Sequence, residues 1–329
     1  MGLNEKFFRS ADEDEPFFNT VLYTGNNSNK SITGVGFAPD LVWIKNRTNA
    51  NSHNLIDSVR GATKVIFSNA TNAESTRSDS LTSFDSDGFS LGNYVGVNGN
   101  YNYVAWCCKA GGAAVSNTDG DITSQVSANV ANGFSIVKYT GNGSGSEQTV
   151  GHGLGVKPEM VIIKDLDNVR DWFVYTDIID GSMDVLYLNK TDAKANSSRT
   201  SPTSSVYKIA GTTTLNKSNQ NFISYCFHSV AGVSKVGSFV GTGAAGKKIT
   251  LDFEPSWIIT KRTSTAGAGW AIIDNKRSTA SIKRDYLYAN TNGAEATSGS
   301  GITFNTDGFT FSGASFNTSG DTHIYYAIA

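Results

Sequence analysis

Three stretches of the chain share one pattern of apolar and polar positions. Phe37-Ala-Pro-Asp-Leu-Val-Trp-Ile-Lys-Asn-Arg47 returns as Val156-Lys-Pro-Glu-Met-Val-Ile-Ile-Lys164 and again as Phe253-Glu-Pro-Ser-Trp-Ile-Ile-Thr-Lys261. Each holds a proline, a polar residue, a mostly apolar run, and a lysine six places after the proline. Proline lacks an amide proton and has a fixed φ, so it suits the entrance of a strand and not its middle. The β-branched and aromatic run behind it predicts a buried strand, and the lysine is expected to mark the return to solvent.

The same elements recur around each proline strand. A first strand precedes it in Thr20-Val-Leu-Tyr-Thr-Gly25, Gly133-Phe-Ser-Ile-Val-Lys-Tyr-Thr-Gly-Asn142 and Gly237-Ser-Phe-Val-Gly-Thr-Gly243. A second follows in Asn54-Leu-Ile-Asp-Ser-Val-Arg-Gly61, Asp171-Trp-Phe-Val-Tyr-Thr-Asp-Ile-Ile-Asp-Gly181 and Gly269-Trp-Ala-Ile-Ile-Asp-Asn-Lys-Arg277. Asp85-Ser-Asp-Gly88, restated within 302–313, predicts a hairpin whose glycine accepts positive φ. Tyr103-Val-Ala-Trp-Cys107, Phe222-Ile-Ser-Tyr-Cys226 and His323-Ile-Tyr-Tyr-Ala327 close the three units, and first and last strands are expected to pair.

The first strands lie about 100 to 116 residues apart, well above solenoid periods, which predicts three tandem domains. Short strands, frequent turns and no helix long enough for a βαβ crossover predict an all-β chain. Its units are tandem antiparallel β-sandwich repeats, jelly-roll-like or lectin-like. The division is an N-terminal arm at 1–16, repeats at 17–110, 133–232 and 233–329, and a Gly/Ser/Asn/Asp-rich linker at 111–132.

Composition narrows the partners. A net charge of −2 with 17% charged residues leaves no electrostatic footprint for nucleic acid or an anionic membrane. No apolar run approaches the ~20 residues of a membrane span, and Met1-Gly-Leu-Asn-Glu-Lys-Phe-Phe-Arg9 has no signal-peptide core. The three cysteines, Cys107, Cys108 and Cys226, have no framework spacing and are expected to be free thiols in a chain of reducing origin. Cys107, Cys226 and Ala327 share one repeat position, which reads as a small buried site.

No residue set commits to chemistry. His53, His152, His228 and His323 fall at four different places in the repeat and make no metal-ligand spacing. Gly151-His-Gly-Leu-Gly155 lacks the helix and lysine of a phosphate cradle and reads as a turn. Asp85-Ser-Asp-Gly88 and Asp119-Gly-Asp121 lack the carboxylates of a calcium loop. No cofactor, metal or catalytic set is assigned. Trp43 and Trp257 read as core in the proline strand, and Trp172 and Trp270 as a matched framework pair. Binding is expected in the loops, with Asn49, Asn98, Asn168, Asn196, Thr265 and Asn292 as candidate contacts. The arm is apolar at Phe7 and Phe8 and acidic at 12–15, and those two phenylalanines are the candidate anchor.

Leu41-Val-Trp-Ile-Lys-Asn-Arg47, His53-Asn-Leu-Ile-Asp-Ser-Val-Arg-Gly61, Ser83-Phe-Asp-Ser-Asp-Gly-Phe-Ser-Leu-Gly92 and Tyr103-Val-Ala-Trp-Cys107 resemble a repeat of cyanophage and related marine-phage structural proteins. Phe134–Gly143 with Val150-Gly-His-Gly-Leu-Gly155 is similar to the next unit of those proteins; where their pattern has tryptophan, this chain has Cys108. The resemblance implies a virion component without catalytic residues, made in the host cytoplasm. It points to a tail fibre or fibre-like appendage in host attachment, expected to be a homotrimer held to other virion proteins through the arm. Its distal loops would meet a host surface glycan or protein. The alternatives are a capsid decoration or head-fibre protein with a purely structural role, and a glycan-degrading tailspike enzyme.

Overall fold

The computed structural model describes residues 16–211 and 214–329. Phe7 and Phe8 lie outside the described residues. The fold is all-β, and each repeat builds an antiparallel sheet in the order first, closing, proline, second strand. In repeat 1 these are Phe18–Thr24, Asn102–Cys108, Leu41–Asn46 and Asn54–Asp57. In repeat 2 they are Phe134–Thr140, Asn221–Phe227, Met160–Asp165 and Phe173–Thr176. In repeat 3 they are Ser234–Val240, Thr322–Ile328, Trp257–Arg262 and Ala271–Asp274. First and closing strands pair throughout, as the sequence led us to expect. Each proline strand starts two residues after its proline, so the missing amide falls outside the ladder.

A second layer of strands covers one face of each sheet. In repeat 1 it holds Lys30–Thr33, Leu81–Asp85 and Gly88–Leu91. The hairpin glycines sit where they were expected: Gly88 has φ +149° and Gly308 +139°, conformations that L side chains rarely adopt. The 111–132 stretch departs from the linker expectation. It holds Val115–Asn117 and Ser124–Asn129, and the latter extends the repeat 2 sheet along Phe134–Thr140. Its alternation puts Val126 into the repeat 2 core, and that burial outweighs the loop-like composition.

The proline strands are buried on both faces. Leu41 and Trp43, Met160 and Ile162, Trp257 and Ile259 point one way, into a single cluster shared by all three repeats. Val42 and Ile44, Val161 and Ile163, and Ile258 point the other way, into the separate sandwich core of each repeat. The closing strands split likewise, with Trp106, Tyr225 and Tyr326 in the shared cluster. All five tryptophans belong to it. Trp257 stands opposite Asp274 as Leu41 stands opposite Asp57, so Trp43 and Trp257 are core but not at equivalent positions. The equivalent of Trp43, opposite Ile272 as Trp43 is opposite Leu55, is Ile259.

The repeats close into a ring around this cluster. The amides of Glu74, Lys194 and Glu295 donate to the carbonyls of Leu166, Thr263 and Arg47, each in the next repeat. In the opposite sense the indoles of Trp172 and Trp270 donate to the carbonyls of Phe67 and Tyr187, at 2.8 and 2.9 Å. His53 occupies the equivalent place in repeat 1: its Nε2 lies 3.1 Å from the Tyr288 carbonyl, and its Nδ1 accepts from the Trp43 indole at 2.8 Å. The expected axis between three chains thus has a counterpart inside one chain.

The three pattern lysines do not return to solvent. Lys45, Lys164 and Lys261 are at most 1% exposed. Their ammonium groups cap loop carbonyls: Lys45 that of Asn46 at 2.6 Å, Lys164 those of Arg170 and Thr71 at 2.9 and 3.1 Å, Lys261 that of Ala268 at 2.7 Å. A buried cation needs such acceptors, and the loops after the strands supply them. Burial brings each of the three down to about 8. The thiols of Cys107 and Cys226 are buried and free, as expected from Ala327.

Candidate functional site

Repeat 3 departs from its siblings at one end of its sandwich. In every repeat the first and closing strands carry a stacked ring pair at matching register. The pairs are Tyr23–Tyr103, Tyr139–Phe222 and Phe239–His323, with centroids 5.2, 5.0 and 5.0 Å apart and planes within 14°. In repeats 1 and 2 the tyrosine of the first strand ties down the chain before the closing strand. Tyr23 donates to the Val97 carbonyl at 2.6 Å, and Tyr139 to that of Leu215 at 2.9 Å. Val97 and Leu215 are then fully buried and fill their sandwich cores. Phe239 has no hydroxyl for this bond. The residue at the corresponding place, Phe316, is only partly buried, has φ +60°, and packs edge-on against Tyr286 with centroids 5.4 Å apart. Positive φ is an outlier for so bulky a residue.

A cavity of about 330 Å³ opens between this segment, the sheet and the 262–269 loop, with Arg262, Tyr286, Tyr288, Phe316, Thr318 and His323 among its walls. Its aromatic wall is continuous, since Tyr286 also meets Tyr288 at 4.9 Å. Its polar wall is incompletely satisfied. His323 is 2% exposed; the Thr318 backbone is a polar neighbour within its reach, and its Nε2 makes no hydrogen bond of normal geometry. Burial brings the imidazole down to about 4, against the pull of nearby Asp321, so it is neutral at pH 7. Arg262 occupies the place where Asn46 and Asp165 cap the following turn through their side-chain oxygens. Its Nη2 donates to the Ala266 carbonyl at 2.7 Å and its Nη1 lies 3.4 Å from Asp321, while its Nε is buried without a partner.

Other hollows offer less chemistry. One of about 50 Å³ lies in the shared core among Trp43, Trp106, Trp172, Trp257 and Trp270; it is wholly apolar and smaller than any drug-sized ligand. A depression of about 650 Å³ beside Asp40 and 128–132 offers one carboxylate, already accepting from the amides of Ala110 and Gly112. Among the described residues no group of three or more His, Cys, Asp or Glu is placed to hold a metal ion.

The loop candidates fare unevenly. Asn49, Asn168 and Thr265 share one repeat position, four residues after the buried lysine. Thr265 belongs to the loop that walls the cavity and donates to Asp321 at 3.3 Å. Asn49 is exposed, while the Asn168 amide is taken by Asp165 and Gln220. Asn196 and Asn292 are exposed and are not among the cavity walls. Asn98 is fully buried, which removes it as a ligand contact. It accepts from the Asn26 amide and donates to the carbonyls of Ser28 and Gly92. Asn216 and Asn317 cap the matching turns of repeats 2 and 3, so the recurrence of this asparagine was the available sign of a structural role. Arg262, Tyr286, Phe316 and His323 were not singled out as ligand contacts; their sign was departure from the repeat, Arg for Asn or Asp and His for Tyr or Phe.

Fold and site define a three-lobed all-β protein with a polar-aromatic cavity in one lobe. The chain belongs to a family described as a domain of unknown function, DUF7483, whose model matches residues 13–329. No curated protein matches it. Among solved structures it is similar to BpGH86A, a β-porphyranase of glycoside hydrolase family 86 from the human gut bacterium Bacteroides plebeius, with 12% identity and a TM-score of 0.15. That match covers 64% of this chain and 34% of the enzyme, so the chain spans about a third of its length; the likeness is too slight to bear on fold or function.

Proposed function

We propose that this chain is a non-catalytic recognition protein of a phage virion surface, a fibre or fibre-like attachment component. Its ring of repeats is the platform, and the cavity of repeat 3 takes a saccharide of one or two rings. The observation that carries the reading is a polar-aromatic cavity of about 330 Å³ in the lobe where Phe316, only partly buried and at positive φ, stands in place of the fully buried Val97 and Leu215. Aromatic walls beside unsatisfied polar groups suit a ring with an apolar face and a rim of hydroxyls. No carboxylate lines this cavity, so it lacks the acid pair that glycoside cleavage uses. The virion setting rests on the repeat motifs that resemble marine-phage structural proteins.

The test is a saccharide microarray probed with the intact chain and with Tyr286→Ala. Binding that Tyr286→Ala loses supports the reading. Absence of binding to every saccharide, or binding indifferent to Tyr286→Ala, overturns it.

A further inference from the structure

The charge of the cavity narrows its ligand, given the saccharide reading above. Its walls include two cations, Lys261 and Arg262, and no carboxylate. Asp321, which faces Arg262, does not neutralise it in a two-pronged pair. It reaches Nη1 alone, at 3.4 Å, and its oxygens are shared with the hydroxyls of Ser264 at 2.6 Å and Thr265 at 3.3 Å. Arg262 therefore keeps a buried donor, Nε, with nothing to bond. Lys261 places one of its three protons on the Ala268 carbonyl and receives weak support from Asp192 of the neighbouring repeat. His323 is neutral and adds a polar atom without charge. In repeats 1 and 2 the Arg262 position holds Asn46 and Asp165, so this local excess of positive charge arises in repeat 3, inside a chain of net charge −2.

We propose that the ligand is a saccharide bearing an anionic substituent, a sulfate or a carboxylate, received by the Arg262 guanidinium beside Lys261, with Tyr286 and Phe316 against the sugar ring. The planar guanidinium presents donors in the geometry both substituents accept, and a charged acceptor gives the orphan Nε the stronger kind of hydrogen bond. Specificity follows from the same donor, because a neutral sugar hydroxyl gives it only the weaker, uncharged kind of hydrogen bond.

The experiment immobilises each neutral glycan beside its sulfated and its uronate-bearing counterpart, and titrates the intact chain over them at two salt concentrations. The expected result is a preference of about tenfold or more for one anionic series, the size of one charge-assisted hydrogen bond, weakening as salt rises. The series preferred tells sulfate from carboxylate. Arg262→Gln should abolish the preference while leaving residual neutral-sugar affinity, and Arg262→Lys, which keeps the charge but loses the fork, should restore part of it. A thermal melt of each variant separates loss of ligand from loss of fold. Equal affinity for neutral and anionic members, or a preference untouched in a folded Arg262→Gln, overturns this inference and leaves the saccharide reading standing. Silence across the whole set overturns both.

Discussion

The three junctions of the ring are not alike. Where repeat 1 meets repeat 2, the buried Arg60 guanidinium grips Asp57 at 2.6 Å and Glu74 at 3.1 Å, and Tyr225 of repeat 2 donates to Asp57 at 2.8 Å. Where repeat 3 meets repeat 1, Arg277 grips Asp274 at 2.5 Å and Glu295 at 3.0 Å, the Trp106 indole reaches Asp274 at 3.1 Å, and Arg47 of repeat 1 binds Glu295 at 2.7 Å. The junction of repeats 2 and 3 lacks the arginine clamp. Lys194, at the place of Glu74 and Glu295, turns back to Asp184 at 2.8 Å and Asp180 at 2.6 Å within repeat 2, and Ser238 of repeat 3 donates to the Ile178 carbonyl at 2.9 Å. Thr176 and Ile179 stand at the aspartate and arginine positions, Ile178 and Ile179 pack against the shared core, and the buried Tyr326 hydroxyl makes no hydrogen bond of normal geometry. One architecture thus closes by two means, a desolvated arginine pair with a cross-repeat donor to its carboxylate, or isoleucine packing in which the charged pair stays inside one repeat. Once a carboxylate is buried beside an arginine, every partner becomes obligatory; an apolar junction tolerates substitution.

The sharpest way to break that contrast is to remove the carboxylate. Asp274→Ala strands Arg277 and is expected to cost ~3–5 kcal/mol in urea unfolding, whereas Thr176→Ala, which loses a bond to the Glu159 carbonyl, should cost only ~0.5–1.5 kcal/mol. Equal losses would mean that the junctions differ in appearance only. Next comes the hydroxyl pair: Tyr225→Phe should cost ~1–3 kcal/mol by depriving Asp57, and Tyr326→Phe should cost nothing or stabilise. A comparable loss from Tyr326→Phe would show that its hydroxyl has a partner after all.

The smallest effect is one of pH. Lys45, Lys164 and Lys261 sit at about 8 when folded against ~10.4 unfolded, so the folded chain holds fewer of these protons in between, and stability should rise with pH across that window. Cys107, Cys108 and Cys226, all raised by burial, work the other way above ~8.5, since the folded chain keeps protons that the unfolded chain releases. The native melting temperature should therefore change little from about pH 8.5 to 9.3, below the range where the buried tyrosines, also raised by burial, begin to lower stability. Replacing Cys226 with alanine, the residue repeat 3 already carries as Ala327, should tilt it upward; a downward tilt would rule out buried, proton-poor lysines.

Much of this frame was readable from the chain. The proline offset located the three central strands, and apolar residues on both faces said that they are buried, but not what buries them. Period-2 alternation gives two faces without naming their partners, so the division of Leu41 and Trp43 from Val42 and Ile44 between a shared and a private core needed three dimensions. The lysines misled for a related reason: a charge at a strand end ordinarily reaches water, and the carbonyls that hold Lys164 lie partly in another repeat, at Thr71. The cavity is hidden in the sequence because it is built where repeat 3 departs from the other two, not from what the repeats share. His323, Arg262 and Phe239 are visible in the sequence as departures from that pattern, though the turned-out backbone of Phe316 is not.

Building the ring from one chain also fixes its valency. An assembly of three identical subunits would multiply any site by three, and a change to one would be a change to all. Here one lobe is free to differ while the other two keep the ring closed, and under the proposed function each chain carries one site. On the proposed reading, several such chains held side by side would bind a repetitive saccharide surface far more tightly than any single cavity, because the first contact raises the effective concentration of the next.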